Sequence, residues 1–406
     1  MPEGPMPENS QPRVYLDHAA TTPLRPTAQA AWLEVTRFLQ TSPGNPGALH
    51  SGGRAARRML EDARERLADA LGADRAEVVF TSGATESAAL GVVGAAKGAF
   101  EKTGRDIVAG SGIEHPAVRN QGRVAQNAGL RWALLPVGYD GLTDVACTQF
   151  KATESDGGAT DGTWDQVALA SMCWVCSETG VIQPIGELVS RAQATGVLAH
   201  SDATQAVGNL PVHFHESGLD LLTLGGHKFG APVGTGALLV KRGIPIVTDR
   251  PGGDQERKIR SGTPDVAGAV ALSVAAEEAV REVGERRVRH GLLRARLLSA
   301  LPPGILPTET AESVPGIIHL SLSTRHPEVI LLELDRAGIM ASAGSACHAG
   351  VTRPSEVLLA MGRSEQEALG VLRVSLGSDT REDDIDRLVA ALPTALESAK
   401  RMDLFG

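Results

Sequence analysis

Residues 219–240 read LDLLTLGGHKFGAPVGTGALLV. Two short apolar runs, LDLLTLGG and GALLV, flank a glycine-rich connection, and such runs bounded by turn residues read as buried strands. Lys228 therefore follows directly on a strand end. The glycines around it leave room for a bulky planar group to approach the backbone. An amine held there, partly withdrawn from water, has a lowered pKa and can form a Schiff base. A surface lysine in a turn is the plainer reading of the same residues.

Outward from this stretch, strands alternate with helices. VYLDHAATTPL (14–24) is a short strand and turn. SGGRAARRMLEDARERLADALGA has apolar residues at 60, 63, 67 and 71, the helical period. AEVVF, DIVAG, VALASMCWV and VLAHSDA read as further strands, with helices after TSG and at IGELVSRAQATG. The segment 151–163, KATESDGGATDGT, is polar and glycine-rich and reads as a surface loop. From 266 a long helical stretch is followed by a strand at GIIHLSL, helices at PEVILLELDRAG and PSEVLLAMG, a strand at VLRVSLG and a last helix from Glu382. The pattern predicts an α/β protein. Residues 26–265 form a large domain with a mostly parallel central sheet flanked by helices. Residues 14–25 and 266–406 form a smaller α+β domain, and 1–13 a disordered tail.

Bulk properties narrow the function. The 406 residues are 42% hydrophobic and 21% charged, the balance of a globular chain. The net charge of −9 argues against a nucleic-acid-binding face, which needs a basic footprint. No run approaches the ~18 apolar residues of a membrane span. The first residues have no apolar segment of the secretory kind, so the expected compartment is the cytoplasm. Cys147, Cys173, Cys176 and Cys347 make no disulfide framework. Cys173 and Cys176 form a C-x-x-C, but on a strand residues three apart face opposite ways. No second pair completes a zinc site, and no metal is expected.

Several candidates fall at strand ends, where open α/β sheets bind ligands. Ser82, Gly83, Ala84 and Thr85 stand at a strand-to-helix junction, suited to a phosphate or to capping alone. Asp202 in SDATQ either pairs with a protonated pyridine nitrogen or caps a turn. His115 in GIEHP follows another strand end and is either functional or a cap.

In order and spacing, YLDHAATTPL, GNPGALHSGGRAAR, TSGATES, EHPAV, ETGVIQPI, SDATQAVG, GGHKFGAPVGTGAL, RSGTPD, SAGSAC and LRVSLG resemble the cysteine desulfurases. These belong to the class V branch of fold-type I pyridoxal-phosphate enzymes, and the resemblance runs from Val14 to about Leu388. It implies that Lys228 carries pyridoxal phosphate and moves the substrate's α-proton. Asp202 would bind the pyridine nitrogen, Gln205 the ring oxygen, and His115 would stack on the ring. Ala84 and Thr85 with the neighbouring amides, and His227, would hold the phosphate. Thr263 would reach the phosphate of a partner subunit, which implies a homodimer. Arg373 would bind the carboxylate of L-cysteine, with Ser177 close by. Cys347, in the small-residue run SAGSACHAG of the branch with the longer cysteine loop, would accept the sulfur as a persulfide and carry it to an acceptor. That acceptor would be a protein of iron–sulfur cluster assembly or a thiolation enzyme.

Three positions depart from the family pattern. Ser177 stands where an asparagine is usual, Gly225 where a serine is usual, and 146–163 lacks a regular helix. These departures keep open a selenocysteine lyase or another C–S lyase on the same fold, and a catalytically degenerate scaffold.

Overall fold

A computed structural model describes residues 13–153, 157–344, 347–348 and 351–403. The tail expected at 1–13 lies, but for Arg13, outside the described residues. The centre is a nine-stranded sheet in the order Val78–Thr81, Gly236–Val240, Leu221–Gly225, Leu198–Asp202, Val167–Ser171, Ile107–Ser111, Arg131–Leu135, Gln149–Thr153, Ala159–Thr163. The five strands from Leu221–Gly225 to Arg131–Leu135 are mutually parallel. Gly236–Val240 and Gln149–Thr153 each run against both neighbours, so the other seven strands share one direction. VVFT, IVAGS, VALAS, LLTLG and GALLV are buried at every position. Helices cover both faces of such strands, which explains unbroken apolar runs in place of alternation.

The polar segment 151–163 is not a surface loop. Gln149–Thr153 and Ala159–Thr163 form an antiparallel hairpin that extends the sheet edge. The first strand carries a period of two: Phe150 and Ala152 are buried while Gln149 and Lys151 are exposed. Gly162 admits the ring of Phe150 and the end of Ile107, which would stand 2.8 Å from a Cβ at that position. The C-x-x-C also lies differently from expectation. Strand Val167–Ser171 ends before it, and both thiols are buried beyond the strand rather than on opposite faces of it. Burial raises the pKa of each thiol, Cys173 well above the usual value.

A second core surrounds the three-stranded antiparallel sheet Ile305–Pro307, Ile317–Leu322, Val371–Ser375, packed by helices Pro327–Arg336 and Glu382–Asp403. Helix Val266–Arg281 belongs with the first core: Ala271, Leu272, Ala275 and Ala279 pack with the large sheet. Helix Val283–Ser299 supplies Leu293 and Leu297 to the second. The change of core falls near Glu282. Among the described residues no helix is long and apolar enough to cross a membrane.

One buried ion pair fixes a strained segment. Asp254, Glu256, Arg257 and Lys258 have φ of 63°, 44°, 57° and 67°, values that L side chains resist. Arg64 grips Glu256 with both terminal nitrogens at 2.7 Å, and Glu256 also accepts from the Phe80 amide at 2.8 Å. Replacing Glu256 by Ala takes both short bonds from the buried Arg64 guanidinium and leaves it the 3.3 Å pair with Glu61 and the Val78 carbonyl. Breaking a buried pair costs about 3–5 kcal/mol, and Glu61 offsets part of that. The expected outcome is a clearly lower urea midpoint, partly restored in Arg64→Met/Glu256→Leu.

Candidate active site

The functional candidates gather at the edge where the seven codirectional strands end. At the first, Thr81 leads through Ser82 into Gly83, whose φ of 144° suits glycine. The chain then enters a helical run from Ala84 to Thr103 with a π-helical stretch at Ala89–Gly94. The first-turn amides of such a run have no intrahelical acceptor. Glu86 stabilises the turn: its carboxylate accepts from the Ser82 amide at 2.6 Å and pairs with Arg250 at 2.9 Å and Arg260 at 3.3 Å. Gly236 passes close behind, for a Cβ there would lie 2.6 Å from the Gly83 Cα. The result is an open cup with Thr85 exposed at its rim.

Lys228 ends a single 3₁₀ turn, Gly226–Lys228, after strand Leu221–Gly225. Gly226 admits no side chain, because Leu272, Thr235 and Ala231 crowd its Cβ position at 2.6–2.8 Å. The Lys228 amine donates to the carbonyls of Ala19 at 2.8 Å and Ala20 at 2.7 Å. Burial first, then the Arg373 charge, lowers its pKa to about 8, against the pull of Asp202 and Asp17. Asp202 is buried and accepts from the Thr204 amide at 2.9 Å. Gln205 donates to Ala19 O at 2.8 Å.

His115 is a cap, the second of the two readings, and it also lines the cleft. Its Nδ1 accepts from the Ala117 amide at 3.1 Å, capping Pro116–Arg119, while its ring borders the cleft. Withdrawal from water, then the Lys228 and Arg373 charges, hold it below the usual imidazole range, and Asp202 opposes them. His227 lies 3.1 Å from Thr21 Oγ1, and burial, then Lys228 and His115, bring it down to about 4. Ala84, Thr85, His115, Ser177, Asp202, Gln205, His227 and Lys228 thus border one cleft of about 370 Å³.

Arg373 is across from Lys228, in an adjoining cavity of about 230 Å³ that both residues line. It donates to Ser177 O at 2.8 Å and to Asp17 Oδ1 at 2.9 Å, and its buried Nε has no protein partner. Far from a surface arginine, it is 6% exposed. The cysteine segment departs beside it: Ser342 and Arg373 are bridged through their backbones. The segment returns at Ser355, whose hydroxyl donates to Glu178 at 2.6 Å. Cys347 and His348 pair with Thr352 and Val351 in a two-residue ladder, and only the backbone of Cys347 is described. Thr263 is exposed and does not border this chain's own cleft.

Three residues were missed by the sequence reading. Thr204 borders the cleft with a buried hydroxyl lacking a protein partner. It sits between Asp202 and Gln205, so SDATQ itself held that signal. Cys173 borders the same cleft, a position hidden by assigning it to the strand. Glu114, fully buried next to His115, carried no pattern that marked it. Gly225 is accounted for by space: a Cβ there would be 3.1 Å from the Ala84 Cβ, so a serine would require its neighbours to shift.

Comparison with known proteins places this arrangement. Residues 14–388 match the family described as Aminotransferase class-V. An "IscS-like cysteine desulfurase" of Mycobacterium tuberculosis is 42% identical, over 96% of this chain and 98% of that one. The solved structure titled "NIFS-LIKE PROTEIN" superposes with a TM-score of 0.81 at 28% identity, over 95% of this chain and 99% of that one. "SspA in complex with cysteine" superposes with a TM-score of 0.69 at 28% identity, over 89% and 98%.

The charges around Lys228 have a measurable consequence. Its amine is protonated below its pKa of about 8 and free above it. Trapping of a small aromatic aldehyde on the Lys228 peptide with borohydride is expected to rise with pH, with a midpoint near 8. Arg373→Leu removes a neighbouring cation and shifts that midpoint upward; peptide mass spectrometry across the pH series checks both.

Proposed function

The chain belongs to the class-V aminotransferase family and, within it, to the cysteine desulfurases, and we propose that it holds pyridoxal phosphate at Lys228 and moves sulfur from L-cysteine onto Cys347. The observation that carries this reading is a half-buried lysine amine within electrostatic reach of Asp202 and Arg373, with an anion-suited turn lining the same cleft.

The residues suit the cofactor. The amides of the Ser82–Thr85 turn and His227 would hold the phosphate. Asp202 would face the ring nitrogen, His115 the ring face and Gln205 the ring oxygen. Thr204, between Asp202 and Gln205, lines the same wall. Bound there, the cofactor supplies a carbonyl carbon for amine exchange and an electron sink for the charge left by proton removal.

The chain's own groups do the rest. Arg373 binds the substrate carboxylate: its guanidinium lines the cavity next to Lys228, and a charged fork suits that anion. Ser177 contributes through its carbonyl, which orients the guanidinium, so the shorter side chain leaves this contact intact. Lys228, near its pKa at neutral pH, takes the α-proton and returns it. The Cys347 thiolate attacks the substrate's sulfur. A sulfur–sulfur bond forms as the carbon–sulfur bond breaks; the electron pair of the broken bond stays with the substrate's β-carbon, which takes up a proton to become the methyl group of alanine, and a persulfide is left on Cys347. The reading further assigns a homodimer in which Thr263 reaches the partner's phosphate, a cytoplasmic location, and delivery of sulfur to an acceptor protein of cluster assembly or thiolation.

The test is the mass of the Cys347 peptide after incubation with L-cysteine without reductant. The expected result is a gain of one sulfur, lost on adding a thiol and absent in Lys228→Ala. An unmodified Cys347 with cysteine consumed would replace this reading by that of a C–S lyase. Arg373→Leu is expected to raise KM for L-cysteine by ~10–100-fold, the worth of a hydrogen bond to a charged group, as steady-state alanine formation would show.

A further inference from the structure

A buried polar chain crosses the sheet beneath the cleft. Thr223, His200 and Ser171 lie on three adjacent parallel strands, and Glu114 follows the end of a fourth. Thr223 Oγ1 is 3.0 Å from His200 Nε2, His200 Nδ1 is 2.9 Å from Ser171 Oγ, and Ser171 Oγ is 2.8 Å from Glu114 Oε1. All four residues are at most 2% exposed. Asp202 occupies the same region: it is two residues from His200 on one strand and paired in register with Thr223 on the next. On a strand, residues two apart share a face.

We propose that Glu114 is a positioning residue of the cofactor site, locked through Ser171 and His200 as the uncharged partner of Asp202. The inference rests on the reading of Asp202 as the acid facing the ring nitrogen. Two carboxyl groups within electrostatic reach do not both ionise readily, and their environments decide which one does. Asp202 accepts a backbone amide bond and opens on the cleft. Glu114 is sealed, and its Oε2 has no partner. A carboxylate there would leave that oxygen charged, sealed from water and close to the Asp202 charge, with only the Cys173 amide and the Ser171 hydroxyl to offset it. A neutral acid instead donates from Oε1 to Ser171 and leaves only a carbonyl oxygen unpaired, a far smaller penalty.

The electrostatics agree. Burial, then the Asp202 charge, pushes Glu114 up to about 8, opposed by the Ser171 hydroxyl and the Cys173 amide. Burial takes His200 down to about 3, so it remains a neutral relay able to accept at one nitrogen and donate at the other. The helix above is shaped to this chain. Gly91 lies in the π-helical stretch, and a Cβ on it would stand 3.4 Å from the His200 ring and 2.8 Å from Leu238. That stretch continues the helical run that begins at the phosphate-suited turn, so the chain also supports the seat of that turn.

The experiment compares wild type with Glu114→Gln, Glu114→Leu and Ser171→Ala. Infrared difference spectra at neutral pH, wild type minus Glu114→Gln, are expected to show the C=O stretch of a protonated carboxylic acid. Pyridoxal phosphate affinity, followed through its visible absorption, is expected to be retained in Glu114→Gln. It should fall by ~10-fold in Glu114→Leu, the loss of one buried hydrogen bond, and measurably in Ser171→Ala. The visible circular dichroism of the bound cofactor should change in those two variants alone. Absence of the carboxylic acid band overturns the proposal. So does unaltered affinity and dichroism in Ser171→Ala and Glu114→Leu while wild type binds normally. A wild-type protein that binds no pyridoxal phosphate would instead bring down the reading of Lys228 and Asp202.

Discussion

The two hydrogen bonds from the Lys228 amine to the carbonyls of Ala19 and Ala20 join the Gly226–Lys228 turn to the strand-and-turn segment 14–25. Everything in the cleft depends on where that segment lies. Val14 and Tyr15 pair with Ile339 and Met340, just ahead of the cysteine segment. Asp17 grips Arg373. The Thr22 amide donates to His227 O, and Arg25 donates to Phe229 O and Gly230 O. A dozen residues near the N-terminus therefore span both cores and set the lysine, the arginine and the root of the cysteine segment relative to one another. A shift in this segment would disturb the Lys228 pKa through two charges at once, since Arg373 lowers it and Asp17 raises it.

Much of this was legible in the residues. Strands buried on both faces announce themselves as short unbroken apolar runs, and the helices between them by their period. Site candidates sat where such runs ended, and Lys228, Asp202, His115 and the Ser82–Thr85 turn do converge there. What failed to read had physical causes. The hairpin Gln149–Thr153/Ala159–Thr163 has a polar, glycine-containing composition that looks like a loop; only its first strand alternates, while Ala159, Thr160 and Asp161 of the second are all exposed. Cys173 was assigned by strand parity, but the strand ends at Ser171 and parity no longer applies.

Glu114 was hidden for a different reason. A carboxyl group normally advertises solvent, and nothing local in GIEHP says that it is sealed. Its burial arises from residues far along the chain, Ser171 and Cys173, brought alongside by strand pairing. His200 is the same case, a polar residue in the apolar run VLAHSDA whose partners lie on two other strands. Side-chain networks between strands have no signature within any one strand. They become visible only when register is known.

The strained segment 254–258 can also be considered in terms of timing. Its backbone conformation is imposed by Arg64 and by the Phe80 amide, both within the same chain. The conformational entropy of that segment is therefore given up during folding, not on contact with another molecule. Arg260 and the exposed Thr263 follow within a few residues of the anchor. Any surface that docks on this face meets a finished template, so its association carries less of the ordering penalty that weakens contacts made by loose loops.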